Sequence, residues 1–229
     1  MRKKIGGIFW LILLGMVVWG SHKLSHYVLE SAAFSVEKES TGIMVIVDAG
    51  HGGSDGGKIG VNGAVESEIN LQIARLVQEK LESKGIQVYM TRKDEYGMAE
   101  TNSQDLKART EWINEKKPDL VISIHQNSYT DASVKGAQVF YYESSEEGKQ
   151  AAEIMQETLS VLDQTNTRTV KANSSYYLLK KTKVPVIIVE CGFLSNPEEA
   201  EILVNPDYQK KISEAIFSGI CKYFGIEEN

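Results

Sequence analysis

The 229-residue sequence is poor in cysteine, in histidine and in positive charge. Its two cysteines, Cys191 and Cys221, both lie in apolar surroundings, which indicates buried free thiols rather than a disulfide framework or a thiolate zinc site. A single bridge between them is left open. The net charge is −6, and this acidic balance argues against nucleic acid as a partner because phosphate binding needs clustered cations.

Several familiar site motifs are also missing. The glycine-rich stretch 50–63 suggests a phosphate-binding loop, but Ile59 stands where that motif needs Ser or Thr after its lysine. A dinucleotide-binding pattern starting at Gly50 fails because Asp55 occupies its last glycine position. The helical zinc motif HExxH does not occur either. A nucleotide site is therefore disfavoured, and any metal site must be assembled from separate segments.

The N-terminus has a basic flank, Arg2-Lys3-Lys4, followed by an apolar run from Ile5 to Gly20. This pattern is typical of a secretory signal or a short membrane anchor. No small-residue cleavage site follows the run directly, and Ala32-Ala33 lies well beyond it. We expect residues 1–40 to be an uncleaved anchor and linker, with a cleaved signal as the alternative. In both cases residues 41–229 lie outside the cytoplasm, because the cationic end stays inside.

Residues 41–229 alternate between two hydrophobic periods. Apolar strands are predicted at 43–48, 86–91, 119–125, 137–142 and 184–190. Helical spacing occurs at 69–81, 104–116, 147–162 and 208–224, and a further helix starts at Asn196-Pro197. This alternation predicts a single α/β domain with a mostly parallel central sheet flanked by helices.

Four polar residues stand out in this domain. His51 and His125 are its only histidines, and each follows or ends an apolar strand, where α/β sheets place ligands. Glu190 ends another apolar strand, and Glu66 stands just before a helix. Two imidazoles and a carboxylate form a catalytic zinc set, and a second carboxylate could move a proton. The alternative is that the histidines are structural and Glu66 is a solvated helix-start acid; these residues alone do not decide between the two.

From Ile43 onward the chain resembles the zinc-dependent N-acetylmuramoyl-L-alanine amidases of bacterial cell walls. The matching stretches are VDAGHGG (47–53), ESEINL (66–71), SIHQN (123–127) and VECGFLSN (189–196). The resemblance implies that His51, Glu66 and His125 bind zinc and that Glu190 is the catalytic acid/base. It selects Glu66 over Glu68, because the family's glutamate lies four residues before Asn-Leu. The chain departs from the family at Ala49, where proline is frequent.

The same resemblance implies hydrolysis of the amide between N-acetylmuramic acid and L-alanine in peptidoglycan. A single domain behind an anchor is similar to amidases that trim spore-cortex peptidoglycan on the way to muramic lactam. An accessory activating protein is left open as a partner, and the enzyme is expected to be membrane-anchored or secreted. Two alternatives remain: a zinc peptidase or polysaccharide deacetylase with a similar metal set, and a non-catalytic wall-binding module.

Overall fold

The computed structural model describes Trp19 and residues 40–228. Apart from Trp19, the predicted N-terminal anchor lies outside the described residues. None of the described helices has the length and hydropathy needed to cross a membrane.

The described residues contain one six-stranded sheet in the order β2-β1-β3-β6-β4-β5. Its strands are β1 (Met44–Ala49), β2 (Gln87–Met90), β3 (Leu120–Asn127), β4 (Gln138–Tyr142), β5 (Lys171–Asn173) and β6 (Val186–Phe193). The helices are α1 (Glu66–Ser83), α2 (Asn102–Lys116), α3 (Glu146–Leu159), α4 (Tyr177–Lys181), α5 (Pro197–Leu203) and α6 (Pro206–Phe224). All neighbouring strands run parallel except β4 and β6, which are antiparallel. The prediction of a mostly parallel α/β domain is confirmed.

Successive residues of the central strands face opposite sides of the sheet, as strand geometry requires. One side packs a large apolar core under α1, α3, α5 and α6, to which β1, β3 and β6 contribute Val47, Ile122 and Val189. The other side packs a smaller core under α2 and α4, with Ile46, Val121 and Ile188. Strands buried on both faces explain why their sequences are nearly continuous apolar runs.

Local signals at the helix ends match the sequence predictions. Asn196 caps α5 by accepting a hydrogen bond from the Glu199 N–H at 3.0 Å, and Pro197 occupies the first helical turn. Gly85 follows α1 with φ of 76°, a left-handed conformation that ends the helix and that glycine adopts without a steric penalty. These signals mark the end of α1 and the start of α5.

Two short elements were not predicted from the sequence: β5, with three residues, and α4, with five. Both are too short to produce a recognisable hydrophobic period. β5 pairs with β4 at the edge of the sheet, and α4 covers the smaller core through Leu178 and Leu179. α4 also brings Tyr176 and Tyr177 to the wall of the cavity described below.

Candidate metal centre

The predicted site residues meet at the carboxyl ends of three adjacent strands. His51 lies two residues after β1, and His125 and Glu190 are partners in the parallel register between β3 and β6. Paired residues of neighbouring strands point to the same face, so these two side chains are adjacent. Glu66, the first residue of α1, completes the group.

His51, Glu66 and His125 form a group that could hold a metal ion, with ligand atoms all within 4.8 Å of one another. Glu66 Oε1 lies 3.2 Å from His51 Nε2 and 3.0 Å from His125 Nδ1. The two imidazole rings meet edge to face, with centroids 4.9 Å apart. Both imidazoles thus direct a ring nitrogen at one carboxylate oxygen, a convergence that an isolated structural histidine does not need.

His51 is oriented from behind by Asp55. The Nδ1 atom of His51 lies 2.8 Å from Asp55 Oδ2, which leaves Nε2 facing the centre of the group. Burial alone would lower the pKa of His51, but Glu66 and Asp55 outweigh it and raise that pKa to about 9. The carboxylates therefore attract positive charge to this point, and a metal ion and a proton compete for the same nitrogen.

Glu66 is held by a layer of backbone and amide donors. Its Oε2 accepts a hydrogen bond from the Lys58 N–H at 2.8 Å, and its Oε1 accepts one from the Gln126 N–H at 3.1 Å. Asn70 lies one turn further along α1 and donates to the Gly50 carbonyl at 3.1 Å. Burial would raise the Glu66 pKa, but the two histidines hold it well below its usual range. Glu66 is therefore a fixed, ionised ligand candidate.

Two glycines allow this close packing. A Cβ atom on Gly50 would lie 2.3 Å from the His125 ring, and one on Gly57 would lie 2.6 Å from Glu66 Oε2. Gly57 also has φ of 70°, which a residue with a side chain adopts at a cost. The glycine-rich loop thus lets the backbone pass against the ligand group rather than around a phosphate.

Glu190 differs from Glu66 in its surroundings. It is only 8% exposed, and its Oε2 atom is buried without a hydrogen-bond partner among the described residues. Burial raises the pKa of Glu190 to about 7, and the nearby Glu66 charge acts in the same direction. A buried carboxyl group with a free oxygen and a pKa near neutrality can accept and release a proton at that oxygen.

A cavity of about 460 Å³ opens over these four side chains. Parts of its wall come from the N-terminal half of α2, including Asn102 and Leu106, and from Tyr176 and Tyr177 before and at the start of α4. Tyr176 packs against Phe140 with ring centroids 5.5 Å apart. The cavity combines apolar walls with a few convergent polar groups, as small-molecule and substrate sites do.

Residues 45–222 match the family model described as N-acetylmuramoyl-L-alanine amidase. The chain belongs to this amidase family. Members of the family hydrolyse the amide bond between N-acetylmuramic acid and L-alanine in peptidoglycan. The family resemblance stated from the four sequence stretches is confirmed.

The amidase is 35% identical over 192 residues to the germination-specific N-acetylmuramoyl-L-alanine amidase of Bacillus subtilis (strain 168), which covers 80% of this chain and 81% of that protein. AmiA of Escherichia coli (strain K12) is 31% identical over 225 residues, a match that covers 79% of this chain and 76% of AmiA. The solved structure of the CwlD amidase from Clostridioides difficile in complex with the GerS lipoprotein matches with a TM-score of 0.77 and 37% identity. The match covers 81% of this chain and 100% of the chain in that structure.

In this amidase the four residues singled out from the sequence share one site, whereas the rival glutamate does not. Glu68 is exposed on the first turn of α1 and is not part of the ligand group. Cys191, next to Glu190, faces the large core on the other side of the sheet. Strand alternation predicted that Cys191 points away from Glu190.

Sequence reasoning missed a buried arginine next to the site. Arg109 on α2 is 2% exposed and pairs with Asp48 at 2.7 Å and Asp105 at 2.6 Å. Asp48 also accepts hydrogen bonds from Thr91 at 2.7 Å and Ser123 at 2.6 Å. One signal was available: Asp48 lies near the end of an otherwise apolar strand, and a buried carboxylate needs a cation. The sequence does not say which cation fulfils that need.

Proposed function

We propose that this amidase holds zinc with His51, Glu66 and His125 and uses Glu190 as its acid/base. The observation that carries the proposal is the convergence of two imidazole nitrogens on Glu66 Oε1, beside Glu190 Oε2, which has no hydrogen-bond partner in the part of the chain that the structure describes. Two imidazoles and one carboxylate leave an open position on zinc, which is the donor set of catalytic rather than structural sites. The residues present therefore fit the ion that the family uses.

When bound, zinc supplies Lewis-acid polarisation of the substrate carbonyl and makes water a stronger nucleophile at neutral pH. Glu190 Oε2 then accepts a proton from the attacking water and transfers it to the departing amine of L-alanine. The free oxygen of Glu190 and its pKa of about 7 suit both steps, because either protonation state is accessible near neutrality. Asp55 and the donors around Glu66 hold the two ends of the ligand group in place.

We assign the reaction to the peptidoglycan of the spore cortex, where removal of the stem peptide precedes formation of muramic lactam. Support comes from the likeness to the germination-specific amidase of Bacillus subtilis and to the CwlD amidase of Clostridioides difficile. The substrate is then a glycan strand carrying stem peptides. The products are a free muramic acid lactyl carboxylate and a peptide that starts with an L-alanine amine.

We extend the proposal to the partner and the location of the amidase. The CwlD amidase was solved in complex with the GerS lipoprotein, and we propose that an accessory protein of this kind also assists the present amidase. Residues 41–229 form the catalytic domain and act outside the cytoplasm, with residues 1–40 as anchor and linker. A secreted form, produced by cleavage of the same segment, is the alternative.

Metal analysis of matched variants tests the ligand assignment. Glu66→Ala should purify without zinc, whereas Glu68→Ala, two residues away and exposed, should retain one zinc per chain. Both variants are measured for zinc content after gel filtration, with folding checked by circular dichroism. Zinc loss in Glu68→Ala together with zinc retention in Glu66→Ala would overturn the assignment.

Product analysis separates the amidase from the alternative wall enzymes. Digestion of purified peptidoglycan should release intact stem peptides with a new L-alanine amine, detected by mass spectrometry after amine labelling. Release of acetate would indicate a deacetylase, and cleavage within the stem peptide would indicate a peptidase.

Membrane fractionation and N-terminal sequencing test the anchor: a mature chain that begins after Ala33 would contradict it.

A further inference from the structure

Arg109 contacts the backbone of the metal centre rather than its ligand atoms. Its Nη2 donates to the His51 carbonyl at 2.6 Å, and its Nη1 donates to the Ala49 carbonyl at 2.8 Å. Nε and Nη1 are also bonded to Asp105 and Asp48. The guanidinium group thus joins a buried ion pair on one side to the peptide unit that carries a candidate ligand on the other.

The backbone at His51 needs such support. His51 has φ of 62°, one of two positive values among the non-glycine residues that the structure describes. A residue with a Cβ atom adopts this left-handed conformation at an energetic cost, so surrounding contacts must hold it there. Glycine would remove the cost but would also remove the imidazole. The direction of that imidazole is set at the Cα atom, so it depends on what fixes the adjoining carbonyl.

We propose that Arg109 is a positioning residue of the metal centre, whose guanidinium group holds the His51 carbonyl and thereby aims the imidazole at Glu66. The inference rests on the proposed zinc function. Asp48 and Asp105 are needed because an arginine that is 2% exposed must be paired, and Thr91 and Ser123 fix Asp48 in turn.

The contacts of Arg109 allow an effect of side-chain shape to be separated from an effect of positive charge. A lysine at position 109 would still supply positive charge between Asp48 and Asp105. It could not reproduce the planar fork that serves two carboxylates and two carbonyls at once. If Arg109 acts only as a counter-charge, Arg109→Lys should preserve the site. If Arg109 acts as a positioning residue, Arg109→Lys should bind zinc more weakly.

The test measures zinc affinity in folded protein by chelator competition, together with the melting temperature with and without zinc. Arg109→Lys should bind zinc about 10–100-fold more weakly than the wild type, the usual loss when an outer partner of a metal ligand is removed. Its zinc-induced rise in melting temperature should shrink accordingly. Cobalt(II) absorption, which reports the arrangement of ligands, should also change.

Gln156→Leu is the matched control. Gln156 is buried and bonded to two backbone groups, the Val139 N–H and the Ala137 carbonyl, but it lies on α3 against the other face of the sheet. This variant should lose stability without losing zinc affinity. A comparable loss of affinity in Gln156→Leu would show that general destabilisation explains both results and would overturn the proposal.

Wild-type zinc affinity in a destabilised Arg109→Lys would reduce Arg109 to a structural ion pair and overturn the inference, while the zinc function itself would stand. Failure of the wild type to bind zinc would instead remove the proposed function. If Arg109→Lys does not fold, Asp105→Asn is measured in its place, because it keeps the guanidinium group and removes a charge that orients it. Unchanged zinc affinity in Asp105→Asn would then overturn the inference.

Discussion

The two faces of the sheet are built from the same strands but bury different chemistry. The face under α1, α3, α5 and α6 is a large apolar core. The face under α2 and α4 has a smaller apolar core, and at the carboxyl ends of its strands apolar residues give way to Asp48, Ser123, His125 and Glu190. The first face stabilises the domain through apolar area removed from water. The second face uses burial to shift pKa values and to hold the candidate metal ligands in place.

Two consecutive residues show how far the faces differ. Burial raises the pKa of Glu190 on the site face to about 7, where the side chain can exchange protons. Burial also raises the pKa of the Cys191 thiol on the other face, well above its usual range, so the reactive thiolate is scarce. Burial thus favours proton exchange by Glu190 and keeps the Cys191 thiol unreactive.

The largest expected effect tests the site face. Glu190→Gln keeps the shape of the side chain, but the amide cannot accept or release a proton near neutral pH. The rate of hydrolysis should therefore fall by about 10²–10⁴-fold, with zinc binding and folding intact. Initial rates on peptidoglycan fragments and zinc content check this, with Glu198→Gln as an exposed control. Loss of zinc in Glu190→Gln would make Glu190 a ligand. Full activity with zinc bound would remove it from the mechanism.

The next effect compares neighbours on opposite faces. Ile187→Ala empties space in the large core and should lower the free energy of unfolding by about 2–5 kcal/mol, with kcat/KM per folded molecule unchanged. Ile188→Ala opens the smaller core and the wall of the cavity beside Glu190, so it should reduce both stability and kcat/KM. Denaturant unfolding and steady-state kinetics measure the pair. Equal losses of kcat/KM in both variants would contradict the division between the faces.

A smaller effect is expected in acid. Burial would raise the pKa of Asp48, but Arg109, Ser123 and Thr91 lower it from 3.8 to about 2. Because the folded-state pKa is depressed, this stabilisation is present above pH 4 and is lost as the pH falls towards 2. The difference corresponds to about 2 kcal/mol.

Unfolding of zinc-free protein between pH 5 and 2 checks this. The wild type should lose more stability over that range than Asp48→Asn, which has no carboxylate to protonate there. Identical slopes for the two proteins would show that the Asp48 ion pair contributes nothing to acid stability.

The smallest effect concerns Cys191. Cys191→Ala removes one sulfur atom from the large core and should cost about 1 kcal/mol, an ordinary value for a core substitution. Activity should stay within about twofold, since the thiol faces away from Glu190. Thiol labelling of the native protein should be slow at both Cys191 and Cys221, which are buried and unpaired. Rapid labelling of Cys191 without unfolding would contradict its place in the core.

The residues that end strands were predictable, and those that act across the fold were not. His51, His125 and Glu190 could be placed because each lies within three residues of the carboxyl end of a strand, and the carboxyl ends of parallel strands converge at one edge of the sheet. Arg109 could not, because it lies among polar residues in the sequence of α2, and its partners Asp48 and the Ala49 and His51 carbonyls lie about 60 residues away in the chain. The antiparallel direction of β4 also depends on tertiary packing, since an apolar strand reads the same in both directions.

The place of β6 in the sheet has a consequence for when the enzyme becomes active. β6 lies between β3 and β4, although both precede it in the chain. A growing polypeptide therefore contains His51, Glu66 and His125 long before it contains Glu190, and the gap in the sheet closes only when nearly the whole domain has emerged. Pairing strands across such distances is slow. A nascent chain therefore carries the three proposed zinc ligands before it carries the proposed acid/base, and the sheet is continuous only once β6 has joined it.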